Sequence, residues 1–417
     1  MKQNQNNQIE YEEGQVPGSK KVPLNVKLKK VSVFLIIVCL ILTIFPLINR
    51  LGPWLLNPGL KGPYLSWSED PRTTMTISIQ TPENCKLKIE YGKADAEDFT
   101  NSIEDSEKGK FHVFTLRNLE PDTEYKYKVA SPSGDDIWGL NSKTYTFKTA
   151  PNKSIDFKFL IYGDNRPGVF QENNHRLIVQ AMLKEKDAAF TINVGDIVRR
   201  SKYYEQWDRF FWEIKELAAT KPYFVSIGNH EYDEGDDPDY GANYRKYFNF
   251  PQNGKKEMYY SFNYSNAHFV ALNMSTSSLL ISQREIDWLN KDLGKFNGTD
   301  MWKIIYFHVP PYSSGGHGEN KEIIKKMVPL FEKYKVVVFS GHDHHYEHME
   351  INGIHYFITG GGGAPLNVQN NKKSYSKYME ITFCYTLVNV EDDKLTITTK
   401  RIDGSIVDEV EIENPNK

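Results

Sequence analysis

The sequence predicts an α/β catalytic domain preceded by an all-β sandwich and an N-terminal transmembrane helix. Three observations carry this prediction. Five short apolar runs in the C-terminal two thirds each stop at a glycine or a polar residue, and helical patterns separate several of them. Residues 63–150 alternate apolar and polar with a period of two. Near the N-terminus, one run of 18 residues holds no charge.

Taken in order, residues 1–30 are rich in Gln, Asn, Glu and Lys and read as a disordered cytoplasmic tail. The uncharged run, residues 31–48, would rise to roughly 27 Å as a helix, close to the roughly 30 Å hydrocarbon core of a bilayer. Lys27, Lys29 and Lys30 precede it and Trp54 follows. That asymmetry keeps the N-terminus cytoplasmic and places the catalytic domain outside, on a single-pass membrane protein. Secretion after signal cleavage is the alternative. The long polar leader and the lack of a small-x-small pattern after the run argue against it. Residues 49–62 read as a linker.

The region 63–150 holds five alternating runs at Thr74–Ile79, Lys86–Tyr91, Phe111–Leu116, Glu124–Val129 and Lys143–Lys148. Short strands with a polar and an apolar face at this spacing predict a β-sandwich.

Residues 151–417 contain the five apolar runs Phe157–Tyr162, Phe190–Val194, Tyr223–Ile227, Ile304–Phe307 and Val336–Ser340. Helical patterns lie at Leu177–Lys186, Tyr204–Leu217, Gln283–Leu293 and Lys321–Tyr334. This order predicts βαβ units with mainly parallel strands, and a site along one edge of a single sheet. Beyond the strand ends stand Gly163-Asp164-Asn165-Arg166, Gly195-Asp196, Gly228-Asn229-His230-Glu231, His308 and Gly341-His342-Asp343-His344. Carboxylates mixed with an amide and imidazoles suit Fe, Mn or Zn better than Mg or Ca. A carboxylate such as Asp196 can bridge two ions about 3.5 to 4 Å apart, a separation that suits in-line displacement at phosphorus.

This ordered set resembles the calcineurin-like metallophosphoesterase superfamily, and the chain from Gly62 to about Val410 resembles its purple acid phosphatase-like branch. The resemblance implies a metallophosphoesterase β-sandwich flanked by helices and two divalent or trivalent metal ions. Asp164, Asp196 and His344 would hold the first ion. Asp196, Asn229, His308 and His342 would hold the second. Asn229, His230 and His317 would be catalytic, with His230 and His317 also touching substrate. The segment Leu119–Tyr127 resembles the fibronectin type III-like domain that precedes the catalytic domain in that branch.

Two positions depart from the family pattern. Most members place a His two residues after the first Asp, where this chain has Arg166. Purple acid phosphatases place a metal-binding Tyr three residues after the bridging Asp, where it has Arg199. The first ion then keeps three protein ligands, and a purple Fe(III) centre is not expected. Both guanidiniums are candidates for binding phosphate oxygens.

The 51 basic and 54 acidic residues balance, and no basic stripe suggests a nucleic-acid partner. Cys85 and Cys384 allow either a disulfide between the domains or two isolated thiols. Gly360–Gly363 reads as a tight loop permitting close backbone approach. His345 and His348 read as lying beside the site or on the surface. The expected function is hydrolysis of a phosphate monoester. Phosphodiester hydrolysis on nucleotide or lipid-linked substrates, and non-catalytic phosphoryl binding, are the alternatives.

Overall fold

In the computed structural model the described residues are 33, 59–133, 138–141, 143–168, 174–232, 241–255, 258–274, 281–367 and 372–417. The tail 1–30, the apolar run 31–48 apart from Val33, and the linker up to residue 58 lie outside them. Among the described residues no helix is long and apolar enough to cross a membrane. The chain divides into Met1–Leu51 and Gly52–Lys417, and every element below belongs to the second unit.

The first seven strands are β1 (Lys61–Ser66), β2 (Met75–Cys85), β3 (Lys88–Lys93), β4 (Asn101–Glu104), β5 (Gly109–Leu116), β6 (Glu124–Ala130) and β7 (Thr144–Lys148). They form two antiparallel sheets, ordered β1-β2-β5 and β4-β3-β6-β7. Alternation dictates the faces: in β6, Tyr125, Tyr127 and Val129 are buried while Glu124 is exposed. The turn into β6 is locked by the Tyr125 hydroxyl, which accepts the Glu120 N–H at 2.9 Å. Asn118 and Asp122 supply its left-handed positions, which their short polar side chains tolerate.

Alternation did not reveal β1 or β4. β1 contains a proline, is buried on both faces, and begins at Lys61, inside the segment that reads as linker. Lys61 is buried because its ammonium meets Asp208 on the helix Tyr204–Ala218. The Tyr64 hydroxyl donates to the Tyr247 carbonyl, and Tyr127 donates to the Ala219 carbonyl at 2.7 Å. Just past β1, Trp67 sits among Phe190, Phe224, Phe262 and Tyr264, with ring centroids 5.4 to 5.8 Å away.

The remaining strands are β8 (Phe157–Tyr162), β9 (Ala188–Asn193), β10 (Tyr223–Val225), β11 (Tyr260–Tyr264), β12 (Ala267–Ala271), β13 (Trp302–Tyr306), β14 (Val337–Ser340), β15 (Tyr346–Ile351), β16 (Ile354–Thr359), β17 (Ser376–Glu380), β18 (Cys384–Val390), β19 (Lys394–Arg401) and β20 (Ile406–Glu413). They form two sheets, the sandwich that the family resemblance implies and not the single sheet that the pattern of apolar runs predicts. One runs β10-β9-β8-β18-β19-β20 and the other β11-β12-β13-β14-β16-β15-β17. Parallel pairing is confined to β8–β9–β10 and β12–β13–β14–β16, and all other neighbours pair antiparallel. An apolar run marks a strand buried on both faces but does not name its neighbour, so two stacked sheets and one wide sheet give the same pattern. The sheets meet through aromatic rings: Phe159 and Phe190 contact Phe269 edge-on at 5.2 and 5.1 Å.

Helices Asn174–Met182, Tyr204–Ala218 and Gln283–Gly294 form near their expected positions. The expected helix Lys321–Tyr334 is instead broken into Lys321–Lys326 and Val328–Tyr334. Pro329 explains the break, since it lacks an N–H and its ring crowds the carbonyl four residues back. Cys85 and Cys384 are free thiols.

Candidate metal centre

Each sheet delivers part of the site from the carboxyl ends of its parallel strands. Asp164 follows β8, Asp196 follows β9 and Asn229 follows β10. His308 follows β13, and His342 and His344 follow β14. Asp164, Asp196 and His342 adopt left-handed φ values of 58°, 56° and 71°. Such strained turns persist where the surroundings hold them. Glycines allow the turns to touch: a Cβ on Gly228 would lie 2.4 Å from Asp196 N, and one on Gly341 would lie 2.3 Å from Asp164 Oδ2.

Ligand atoms of Asp164, Asp196 and His308 fall within 4.8 Å of one another, and all three residues are buried. His308 Nε2 lies 3.2 Å from Asp196 Oδ1, 3.0 Å from Asn229 Oδ1 and 3.3 Å from His342 Nδ1. His342 Nδ1 is 3.1 Å from Asn229 Oδ1. These four side chains therefore converge on one point. His308 Nδ1–H donates to the Val194 carbonyl at 2.9 Å, which fixes the ring with Nε2 turned to that point. His344 is held the same way, donating from Nδ1 to the Pro365 carbonyl at 2.6 Å, with Nε2 turned to Asp164 Oδ1 at 3.5 Å.

The electrostatics suit a site that binds a cation. Burial pushes the Asp164 carboxyl well above its usual range, and the neighbouring Asp196 adds to that push. Burial opposes charge on His308 too, yet Asp196 and Asp164 carry it up to about 9. His344, by contrast, is driven down to about 4 by burial and by the positive Arg166. Two buried carboxylates with imidazole and amide lone pairs aimed between them form a donor set that fits transition-metal ions.

Arg166 and Arg199 behave differently from each other. Arg166 Nε reaches Asp196 Oδ2 at 3.3 Å, and its main-chain N–H donates to the Asp196 carbonyl at 2.9 Å. The side chain of Arg199 is exposed, and the residue meets the site through its carbonyl, which accepts His230 Nδ1–H at 2.6 Å. His230 Nε2 lies 3.6 Å from Asp196 Oδ2. The His317 ring lies against His342, tilted by 36° with centroids 4.0 Å apart. The structure thus brings all eight expected metal and histidine or amide residues, and Arg166, to one cleft.

Sequence reasoning passed over Glu231. It is fully buried, and its carboxylate accepts four main-chain N–H groups: Gly228 at 2.9 Å, Asp196 at 2.8 Å, Ile197 at 2.9 Å and Val198 at 3.0 Å. It ties the Asp196 turn to the Asn229 turn. Burial and the charge of Asp196 push it up to about 7 against the pull of those N–H groups. Its place inside the Gly228-Asn229-His230-Glu231 block was the only available signal. The Gly360–Gly363 loop does make the expected close approach, with Gly362 N–H donating to the Gly163 carbonyl at 2.9 Å. His345 pairs with Glu347 at 3.2 Å and His348 with His355 at 3.1 Å, both away from the converging ligands.

Comparison with known proteins matches each of the two parts of the chain to a family model. Residues 157–346 match the calcineurin-like phosphoesterase family, and residues 60–149 match the purple acid phosphatase N-terminal domain. The chain carries a calcineurin-like phosphoesterase domain behind a purple acid phosphatase N-terminal domain. Among its curated relatives is "Purple acid phosphatase 21" of Arabidopsis thaliana, 25% identical over 377 residues and matched over 82% of each chain. Another, "Probable inactive purple acid phosphatase 24" of the same plant, is 28% identical over 283 residues, covering 57% of this chain and 43% of the relative. The chain thus spans under half the length of that relative. A purple acid phosphatase isolated from yellow lupin (Lupinus luteus) seeds shares the fold with a TM-score of 0.71 at 22% identity, over 86% of this chain and 75% of that one.

Proposed function

We propose that the protein is a binuclear-metal phosphoesterase that hydrolyses phosphate monoesters. The observation that carries this reading is the convergence of Asp196, Asn229, His308 and His342 on one point, with Asp164 and His344 beside it. Asp164, Asp196 and His344 would hold one ion, and Asp196, Asn229, His308 and His342 the other. When bound, such ions supply a nucleophilic hydroxide at neutral pH and offset charge on the phosphoryl oxygens.

The chain's own residues do the rest. Asn229 orients a phosphoryl oxygen through its amide. Arg166, one side of which is engaged by Asp196, offers its remaining N–H groups to a second oxygen. The oxygen of a hydroxide derived from water bonds to phosphorus in line, the bond to the leaving oxygen breaks with its electron pair, and a histidine of the His230 and His317 pair protonates that leaving oxygen.

The apolar run 31–48 would anchor this unit in a membrane, with the N-terminus cytoplasmic and the catalytic domain extracytoplasmic. Its support is the uncharged length of the run and the lysines before it.

The decisive experiment assays p-nitrophenyl phosphate and its bis ester with added Mn, Zn or Fe, before and after chelation, alongside metal analysis. Monoester turnover that vanishes with chelation is expected. Preference for the bis ester would mark a diesterase. Bound metal with no turnover of either ester would favour phosphoryl binding without catalysis, a reading the relative named "inactive" keeps in play.

A further inference from the structure

The residue between the two histidines of the fifth block has its own task. Asp343 is fully buried, and its carboxylate is wrapped by the loop that carries His317. Oδ2 accepts the Ser313 hydroxyl at 2.5 Å. Oδ1 accepts the His317 Nδ1–H at 2.8 Å and the His317 main-chain N–H at 3.3 Å, with the Asn367 amide also at 3.3 Å. A Cβ on Gly315 would lie 2.5 Å from Asp343 Cγ, so the loop closes on the carboxylate as tightly as glycine allows. Glu347 fastens the same loop by accepting the Ser314 N–H at 2.9 Å.

The two histidines of the cleft are therefore held differently. His230 gives its Nδ1–H to the neutral Arg199 carbonyl, and its Nε2 faces the shared carboxylate of Asp196. His317 gives its Nδ1–H to an ionised carboxylate, and its exposed ring lies over His342 with Nε2 unused by Asp343.

We propose that Asp343 is a positioning residue that fixes the His317 ring so that its Nε2–H is delivered to the oxygen leaving phosphorus. The proposal rests on the phosphoesterase reading above. As the P–O bond breaks, its electron pair stays on the leaving oxygen, which takes the Nε2 proton. The ring regains a proton from solvent, and Asp343 stays ionised throughout.

The test is a leaving-group series on full-length protein, with metal content measured in every variant. p-Nitrophenolate departs without a proton, whereas an alkoxide does not. For Asp343→Asn, kcat/KM for an alkyl phosphate should fall about 10²-fold, within the range of general-acid contributions, and for p-nitrophenyl phosphate by less than about 3-fold. His317→Ala leaves the Asp343 carboxylate in place and should show the same split, and combining both substitutions should add little. Equal losses on both esters, or a fall in bound metal that accounts for the loss, would overturn the proposal. Wild-type protein inert toward both esters would instead overturn the phosphoesterase reading, and this inference with it.

Discussion

The two halves of the metal centre are built to different standards. Around His308, three further donors from both sheets come within 3.0 to 3.3 Å of one nitrogen. Around Asp164 the imidazole of His344 stands off at 3.5 Å, and a guanidinium lies 3.3 Å from the shared Asp196. One half gathers two ring nitrogens, an amide oxygen and a carboxylate oxygen about one point, a set that suits a cation. The other already contains a fixed positive charge that competes with an ion for the same carboxylate. The lesson is that a shared ligand does not make two equal sites.

The largest expected effect comes from breaking the well-built half. His308→Ala should lower kcat/KM for p-nitrophenyl phosphate roughly 10³-fold, the several kcal/mol that a bound Lewis acid supplies. Unchanged turnover would refute the assignment of that half. Next, Glu231→Gln replaces an acceptor of four N–H groups by one with a single oxygen. Two buried N–H groups then lose their partner, so a loss of about 3 kcal/mol in stability is expected, read by denaturant unfolding.

On the other half, Arg166→Ala should raise KM for phosphate esters about tenfold, the lower end of a charged hydrogen bond, while kcat changes less. An unchanged KM would leave Arg166 a partner of Asp196 alone. The smallest effect sharpens the comparison itself. Calorimetric titration of metal-free protein with Zn or Mn should resolve two ions, the one at Asp164 and His344 bound about tenfold more weakly, the scale on which lost supporting contacts act. Two indistinguishable ions would erase the distinction.

Most of this site was legible in the sequence because every ligand sits immediately after an apolar run. A strand that stops at Gly-Asp or Gly-Asn announces both its end and its chemistry. The second sheet was not legible, because hydrophobic runs such as Ile304–Phe307 and Phe157–Tyr162 look alike whichever partners they pair with. Glu231 and Asp343 were hidden for a related reason. Glu231 serves N–H groups up to 35 residues away, and Asp343 serves a histidine 26 residues away. β1 escaped because its burial comes from Asp208 and Tyr247, more than 140 positions down the chain.

That last seam has a consequence for how the molecule comes apart. Trp67 lies in the aromatic cluster of the catalytic sheets, and Lys61 neutralises a carboxylate there. A fragment beginning after residue 150 would keep an indole-sized hollow lined by phenylalanines and an unpaired Asp208. Residues 60–417 should therefore melt as one calorimetric peak, and a protease nick between the two domains should leave the pieces clinging together until both unfold.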